Sequence, residues 1–171
     1  MDTQRPSPFY FGRGGGLYGC LHRPIKPDQR RDAVLLCYPA FGEYIQCHRA
    51  YWYLAQMLAE AGYTTLRFEY AGTGDSVGDL ESSDLSVWRE DIHDAIKWMK
   101  SEGHARPSLL MGTRLGATLA AEEAFHHPEV ENLVLWEPVY SGENYLDELC
   151  RQHNKYLAPI SEVLTELNAR T

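Results

Sequence analysis

Gly112-Thr113-Arg114-Leu115-Gly116 joins an apolar run, Pro107-Ser108-Leu109-Leu110-Met111, to an alanine-rich stretch that opens at Leu115. This is the pattern of a strand, a sharp turn and a helix. In a G-x-S-x-G elbow the two glycines permit the turn, and the central side chain is lifted to the top of a sheet over a helix N-terminus. Here the glycines remain and arginine occupies the central position. A guanidinium is cationic at any physiological pH and is no nucleophile, so serine-ester hydrolysis through position 114 is excluded.

Working outward, Ala33-Val34-Leu35-Leu36-Cys37-Tyr38 is a continuous apolar run of the kind buried on both faces of a parallel sheet. Tyr51, Leu54, Met57 and Leu58 recur at helical spacing, and Thr64 to Tyr70 resumes a period of two. Leu85, Trp88, Ile92, Ile96 and Met99 mark a second amphipathic helix, with Arg89, Glu90, Asp94 and Lys97 on its other face. A helix over about 115–126 and the strand Asn132–Trp136 follow the elbow. Strand, helix and strand alternate, so each parallel crossover is expected to be right-handed. Before this unit, Pro8–Phe11 and Leu17–His22 flank Gly12-Arg13-Gly14-Gly15-Gly16 and read as an opening hairpin. That glycine run lacks a following helix and the lysine of a Walker motif, so it is a turn rather than a phosphate loop. A Pro-rich, charged segment from Pro24 to Asp32 connects the hairpin to the first parallel strand. After Glu143 the pattern is helical, with a break expected at Pro159 and an apolar face on Ile160, Val163, Leu164 and Leu167.

The totals narrow the function classes. At 171 residues the chain is long enough for one buried core, and its net charge of −8 disfavours nonspecific binding to nucleic acid or anionic membrane. No apolar run approaches the roughly 20 residues needed to span a bilayer, and the N-terminus lacks a signal-peptide core, so a cytoplasmic protein is expected. Cys20, Cys37, Cys47 and Cys150 show neither a C-x-x-C pair nor finger spacing. Reduced thiols, no disulfide, no metal and no cofactor are the expectation.

The hairpin, the loop Cys37-Tyr38-Pro39-Ala40-Phe41-Gly42-Glu43, the turn Gly72-Thr73-Gly74-Asp75-Ser76 and the elbow, in that order, resemble the first two-thirds of an α/β-hydrolase. The resemblance implies a three-layer α/β fold: a mostly parallel sheet with an N-terminal antiparallel hairpin and helices on both faces. It implies a truncated core over residues 1–141 and a helical lid or C-terminal extension over 142–171, lacking two further strands and the histidine that follows the last of them. Within the superfamily, C-x-P-x-F-G-E, His48-Arg49, G-x-G-D-S and G-x-R-L-G-A together resemble the hydrolase-like proteins associated with bacterial exosortase systems. That narrower likeness implies a link to exopolysaccharide export or protein sorting.

In such a fold the backbone N–H of Ala40 or Phe41 and that of Leu115 are the oxyanion-type donors, and they do not depend on a serine. Arg114 would add a planar donor for carboxylate or phosphate above the positive end of a helix. A cation at a helix N-terminus is unfavourable, so an acidic partner is expected: Glu137 first, at the end of its strand, then Glu43, then Glu69. Glu137 is also the possible triad acid, with nothing to orient. Gly112, Gly116, Gly72 and Gly74 are read as turn glycines, and Asp75 and Ser76 as satisfying backbone N–H groups. Cys37 lies within a buried strand with no imidazole adjacent in sequence. His126, His127 and His153 are expected to face solvent, and His22, His48, His93 and His104 offer no better base. Two functions are therefore expected to compete. The first is a hydrolase-like protein without serine chemistry that binds an acidic small molecule or a protein. The second is an active ester or thioester hydrolase completed by a C-terminal portion or a second subunit. The uncharged strand Leu133-Val134-Leu135-Trp136 favours a homodimer or a C-terminal partner polypeptide over a bare edge.

Overall fold

A computed structural model of the chain describes residues 5–24 and 32–168, with side chains up to residue 159. The connecting segment 25–31 and the apolar face expected on Ile160 to Leu167 lie outside what is described. Two compact units divide at Pro138 and Val139.

The first unit is built on one six-stranded sheet. Its strands are β1 (Ser7–Phe11), β2 (Leu17–His22), β3 (Asp32–Cys37), β4 (Thr64–Phe68), β5 (Arg106–Thr113) and β6 (Asn132–Trp136), in the order β1-β2-β4-β3-β5-β6. The opening hairpin is antiparallel, with Ser7 opposite Leu21 and Phe11 opposite Leu17. From β4 to β6 the sheet is parallel. Helices α1 (Phe41–Glu60), α2 (Leu85–Ser101) and α3 (Leu115–Ala124) supply the crossovers. The chain steps from β3 to β4 in one direction, then returns past β3 to β5 and on to β6 in the other. Right-handed crossovers therefore place α1 on one face and α2 with α3 on the opposite face. Accordingly, α1 packs on β2 and β4, while α2 and α3 pack on each other and on β5. The expected three-layer arrangement is present.

Local sequence explains the elements. Leu35, Leu36 and Leu66 are fully buried, as parallel strands covered on both faces require. Helix α2 buries Trp88, Ile92, Ala95, Ile96 and Met99, and starts at Asp84, whose carboxylate accepts from the N–H groups of Ser86 at 2.8 Å and Val87 at 2.9 Å. Trp98, on the flank of the same helix, stacks on Phe9 with ring centroids 4.0 Å apart and ties the hairpin to the layer. Strand β6 forms an edge, and Leu133, Val134, Leu135 and Trp136 are all exposed.

The second unit contains one helix, α4 (Gly142–Asn168). It continues through Pro159, which corrects the expected break there. No helix among the described residues is long and apolar enough to cross a membrane.

Candidate functional site

Reversal of chain direction at β3 creates a switch point between β3 and β5, and in open α/β sheets ligands bind beyond the carboxyl ends of the strands at such a point. The loops leaving β3 and β5 carry the predicted site residues. They also carry conformational strain. Among the described residues four non-glycine positions have positive φ: Phe41 (56°), Arg114 (54°), Glu137 (49°) and His104 (50°). The first three follow β3, β5 and β6 at their carboxyl ends. Such positions cost about 1–3 kcal/mol each and cluster where function requires them.

The elbow is built from backbone contacts. Arg114 sits at φ 54°, ψ −123° as the residue preceding α3, and its N–H donates to the Trp136 carbonyl at 2.9 Å. A Cβ at Gly112 would lie 2.5–2.6 Å from backbone atoms of Gly116 and Ala117, and one at Gly116 would overlap the carbonyl oxygen of Tyr38. Only glycine lets α3 approach β5 and the end of β3 this closely. From the α1 side, the Tyr51 hydroxyl contacts the Thr113 hydroxyl at 2.8 Å and donates to the Cys37 carbonyl at 3.0 Å, bracing the residue before Arg114. The Tyr51 ring stacks on Tyr38 at 4.4 Å. Sequence reasoning placed Tyr51 only in a helical stripe and Thr113 only in the elbow turn, and missed their contact because it joins positions 62 residues apart.

Arg114 Nε donates to Glu43 Oε1 at 3.0 Å, with the two side chains 20% and 14% exposed. The first-ranked partner was Glu137, but that residue is exposed and forms no ion pair with Arg114. Its positive φ and the following Pro138 turn the chain out of the strand direction. Glu43 is favoured instead because it lies in the first turn of α1, where the helix dipole favours an anion. Ala40 and Arg114 precede α1 and α3 without a side-chain cap hydrogen bond. First-turn N–H groups of two helices, those of Phe41 and Leu115 included, therefore begin at this place. The arrangement is suited to holding an anion between two positive helix ends and a guanidinium.

Glu69, ranked third, has another task. The Tyr44 hydroxyl donates to its Oε1, the Asp75 N–H donates to its Oε2 at 2.6 Å, and a Cβ on Gly74 would overlap its carboxylate. Gly72 and Gly74 have φ of 76° and 54°, as a turn of this tightness needs. Ser76 Oγ accepts from the Tyr18 N–H at 2.9 Å and donates to the Glu69 carbonyl at 2.7 Å. Asp75 is held through its own amide, which corrects the expectation that its side chain satisfies the turn. Cys37 is wholly buried, and burial pushes its thiol up to about 12, so no thiolate is available.

His48 stacks against Tyr38 with centroids 6.0 Å apart. His104, His126 and His153 are exposed. His22 is buried beside Arg67, whose Nε donates to its Nε2 at 3.0 Å. Burial first, then that cation, lowers its pKa to about 4. His127 was expected to face solvent but is buried. Among the described residues one group has metal-ligand chemistry, His93, Glu123 and His127, and it lies away from the elbow toward the other end of α3. Cysteine spacing, on which the expectation of no metal rests, carries no signal for a histidine and carboxylate group. The visible signal was the i, i+4 pair Glu123 and His127.

A family model described as serine aminopeptidase, S33 (Hydrolase_4) matches residues 29–169. Human mitochondrial palmitoyl-protein thioesterase ABHD10 is 30% identical over 115 residues, which is 64% of this chain and 36% of that protein. The uncharacterized protein RP471 of Rickettsia prowazekii (strain Madrid E) is 24% identical over 134 residues, 78% of this chain and 55% of that protein. The chain thus spans about a third to about half the length of these curated relatives. Among solved structures, XC6422 from Xanthomonas campestris, described as an a/b serine hydrolase without lid, superimposes with a TM-score of 0.63 at 20% identity, covering 79% of this chain and 62% of that one. An alpha-beta serine hydrolase homologue from Coxiella burnetii gives 0.61 at 20% identity, covering 79% and 64%. These likenesses establish the fold.

Proposed function

The chain belongs to the serine aminopeptidase S33 family of α/β-hydrolases, and we propose that within it this chain binds an anionic small molecule or an acidic protein segment in place of serine hydrolysis. The observation that carries this reading is Arg114 in the strained elbow position, beside the helix ends at Phe41 and Leu115 and bonded to Glu43. The carboxylate of Glu43 stands in for the ligand: it occupies the bonding direction that an incoming carboxylate or phosphate would take, and gives it up on binding. A guanidinium is well matched to either group. The exosortase-type motif pattern supports placing this function in the bacterial cytoplasm beside exopolysaccharide export. The exposed apolar edge at β6 supports a partner chain, either a second copy or a separate C-terminal polypeptide.

Titration with inorganic phosphate and with hexanoate tests the reading. Saturable binding is expected, weakened at least about tenfold by Arg114→Gln and strengthened by Glu43→Gln. Equal binding by wild type and Arg114→Gln would overturn it. Fluorophosphonate probes are expected to leave the 112–116 peptide unlabelled, since no hydroxyl nucleophile is offered at 114.

The likeness to palmitoyl-protein thioesterases favours a second reading, an ester or thioester hydrolase completed by residues of another chain or portion. Turnover of a palmitoyl thioester that survives Arg114→Ala would select it over the first.

A further inference from the structure

Outside the elbow, α2 and the end of α3 bring three donor atoms together. His93 Nδ1 lies 3.1 Å from His127 Nε2 and 3.2 Å from Glu123 Oε1, and His127 Nε2 lies 3.2 Å from the same Glu123 oxygen. We propose that His93, Glu123 and His127 form a three-ligand site for a borderline divalent transition-metal ion of the Zn(II) type, with a fourth position open to water.

The triangle has the right size. A tetrahedral ion with bonds of about 2.0–2.1 Å sets ligand-to-ligand distances of about 3.3–3.4 Å. An ion bonded to this triangle would stand about 0.9 Å out of its plane, on the side where a fourth ligand completes the tetrahedron.

Proton positions point the same way. The second nitrogen of His127, Nδ1, lies 3.3 Å from Glu129 Oε1, and Lys100 Nζ donates to that oxygen at 2.7 Å. Glu129 is thus placed to accept from a proton on His127 Nδ1, and in that tautomer the Nε2 lone pair faces the triangle. This is the outer carboxylate that commonly orients a metal-bound histidine. With Nε2 unprotonated, a single proton on His93 Nδ1 serves one edge of the triangle and leaves the Nε2 lone pair facing a carboxylate oxygen. A cation satisfies all three edges together.

Burial distinguishes the donors. Glu123 and His127 are 7% and 9% exposed at the side chain and form a fixed floor, whereas His93 is 50% exposed and leaves a route for ion and water. Arg89 lies at the rim, its Nε 4.0 Å from the other Glu123 oxygen, within ion-pair but not hydrogen-bond distance and outside the triangle. Two imidazoles and one carboxylate are the donor set of a borderline ion, since magnesium and calcium prefer oxygen alone. Bound there, the ion would fasten α2 to the end of α3, about 12–15 Å from the elbow along the helix.

The test is titration of the chelator-treated full chain with Zn(II) against a chromophoric competitor, then with Co(II) for its visible spectrum. One Zn(II) per chain and the intense absorption of tetrahedral Co(II) are expected, together with a higher unfolding midpoint in the presence of Zn(II). His93→Ala should weaken binding more than about 100-fold, and Glu129→Gln by about tenfold. His93 is half exposed, so that variant keeps its fold; Glu123→Gln, where it folds, should match it. No stoichiometric Zn(II) binding would leave the cluster as a proton-bridged ion pair and overturn the proposal. Binding unchanged in His93→Ala would do the same, by assigning the ion to the thiols of Cys47 or Cys150.

Discussion

Replacing both ends of the Arg114 and Glu43 pair separates two energies that the elbow combines. Fully buried pairs lose about 3–5 kcal/mol when one partner is removed, and exposed pairs about 0–1. At 20% and 14% exposure this pair lies between, so Glu43→Gln should destabilise by about 1–3 kcal/mol. Arg114→Gly loses the same interaction but relieves the strain of φ 54°, about 1–3 kcal/mol, less about 0.5–1 for the extra freedom glycine gives the unfolded chain. The single Arg114→Gly variant is therefore expected near wild type. In a Glu43→Gln background this pair no longer contributes, so Arg114→Gly should be more favourable there than in the wild type by about 1–3 kcal/mol. Urea unfolding of the four proteins at pH 7, with and without 0.5 M salt, closes the cycle. A coupling below about 0.5 kcal/mol would refute the view that the Arg114 and Glu43 side chains hold each other across this turn.

Gly116→Ala should destabilise by at least about 2 kcal/mol, because its methyl meets the backbone oxygen of Tyr38 rather than a yielding side chain; thermal unfolding checks it. His22 is depressed from 6.5 to about 4, so its contribution is complete above pH 6.5 and is lost as pH falls through 4. The stability of wild type relative to His22→Gln should therefore fall by about 3 kcal/mol between pH 7 and pH 4. Asp91, which burial raises to about 6, has the opposite slope, losing its contribution as pH rises, and cancels in that difference. An unchanged difference would show that His22 takes up its proton alike in the folded and unfolded chains, and would refute the depressed value. Sedimentation at micromolar concentration should find a dimer or larger species, and a monomer whose β6 amides exchange slowly would remove the argument for a partner at that edge.

The succession of strands and helices was legible because its parts carry independent local signals: an apolar run for β3, glycines at the elbow, a helical stripe in α2. The site was legible only where it is backbone. Positions 40, 41 and 115 are expectations carried by the resemblance, whereas Glu43 ranks below Glu137 in the sequence because a strand end shows there but not the kink that turns it outward. His93 on α2 and His127 just past the end of α3 are 34 residues apart, and only packing of α2 on α3 brings them together. Proline at 159 suggested a break because it removes one amide bond, yet α4 continues through it.

Gly116 against the Tyr38 carbonyl has a consequence for redesign. The sharp turn is enforced from behind, by main chain meeting main chain, so the side chain at 114 takes no part in shaping it. The position is a socket: it presents whatever residue it is given, at the same height and angle, between the same two helix ends. Serine, cysteine, histidine or an unnatural nucleophile installed there would inherit that geometry without rebuilding the loop, which makes this chain a small platform for adding a reactive group to a preformed anion cradle.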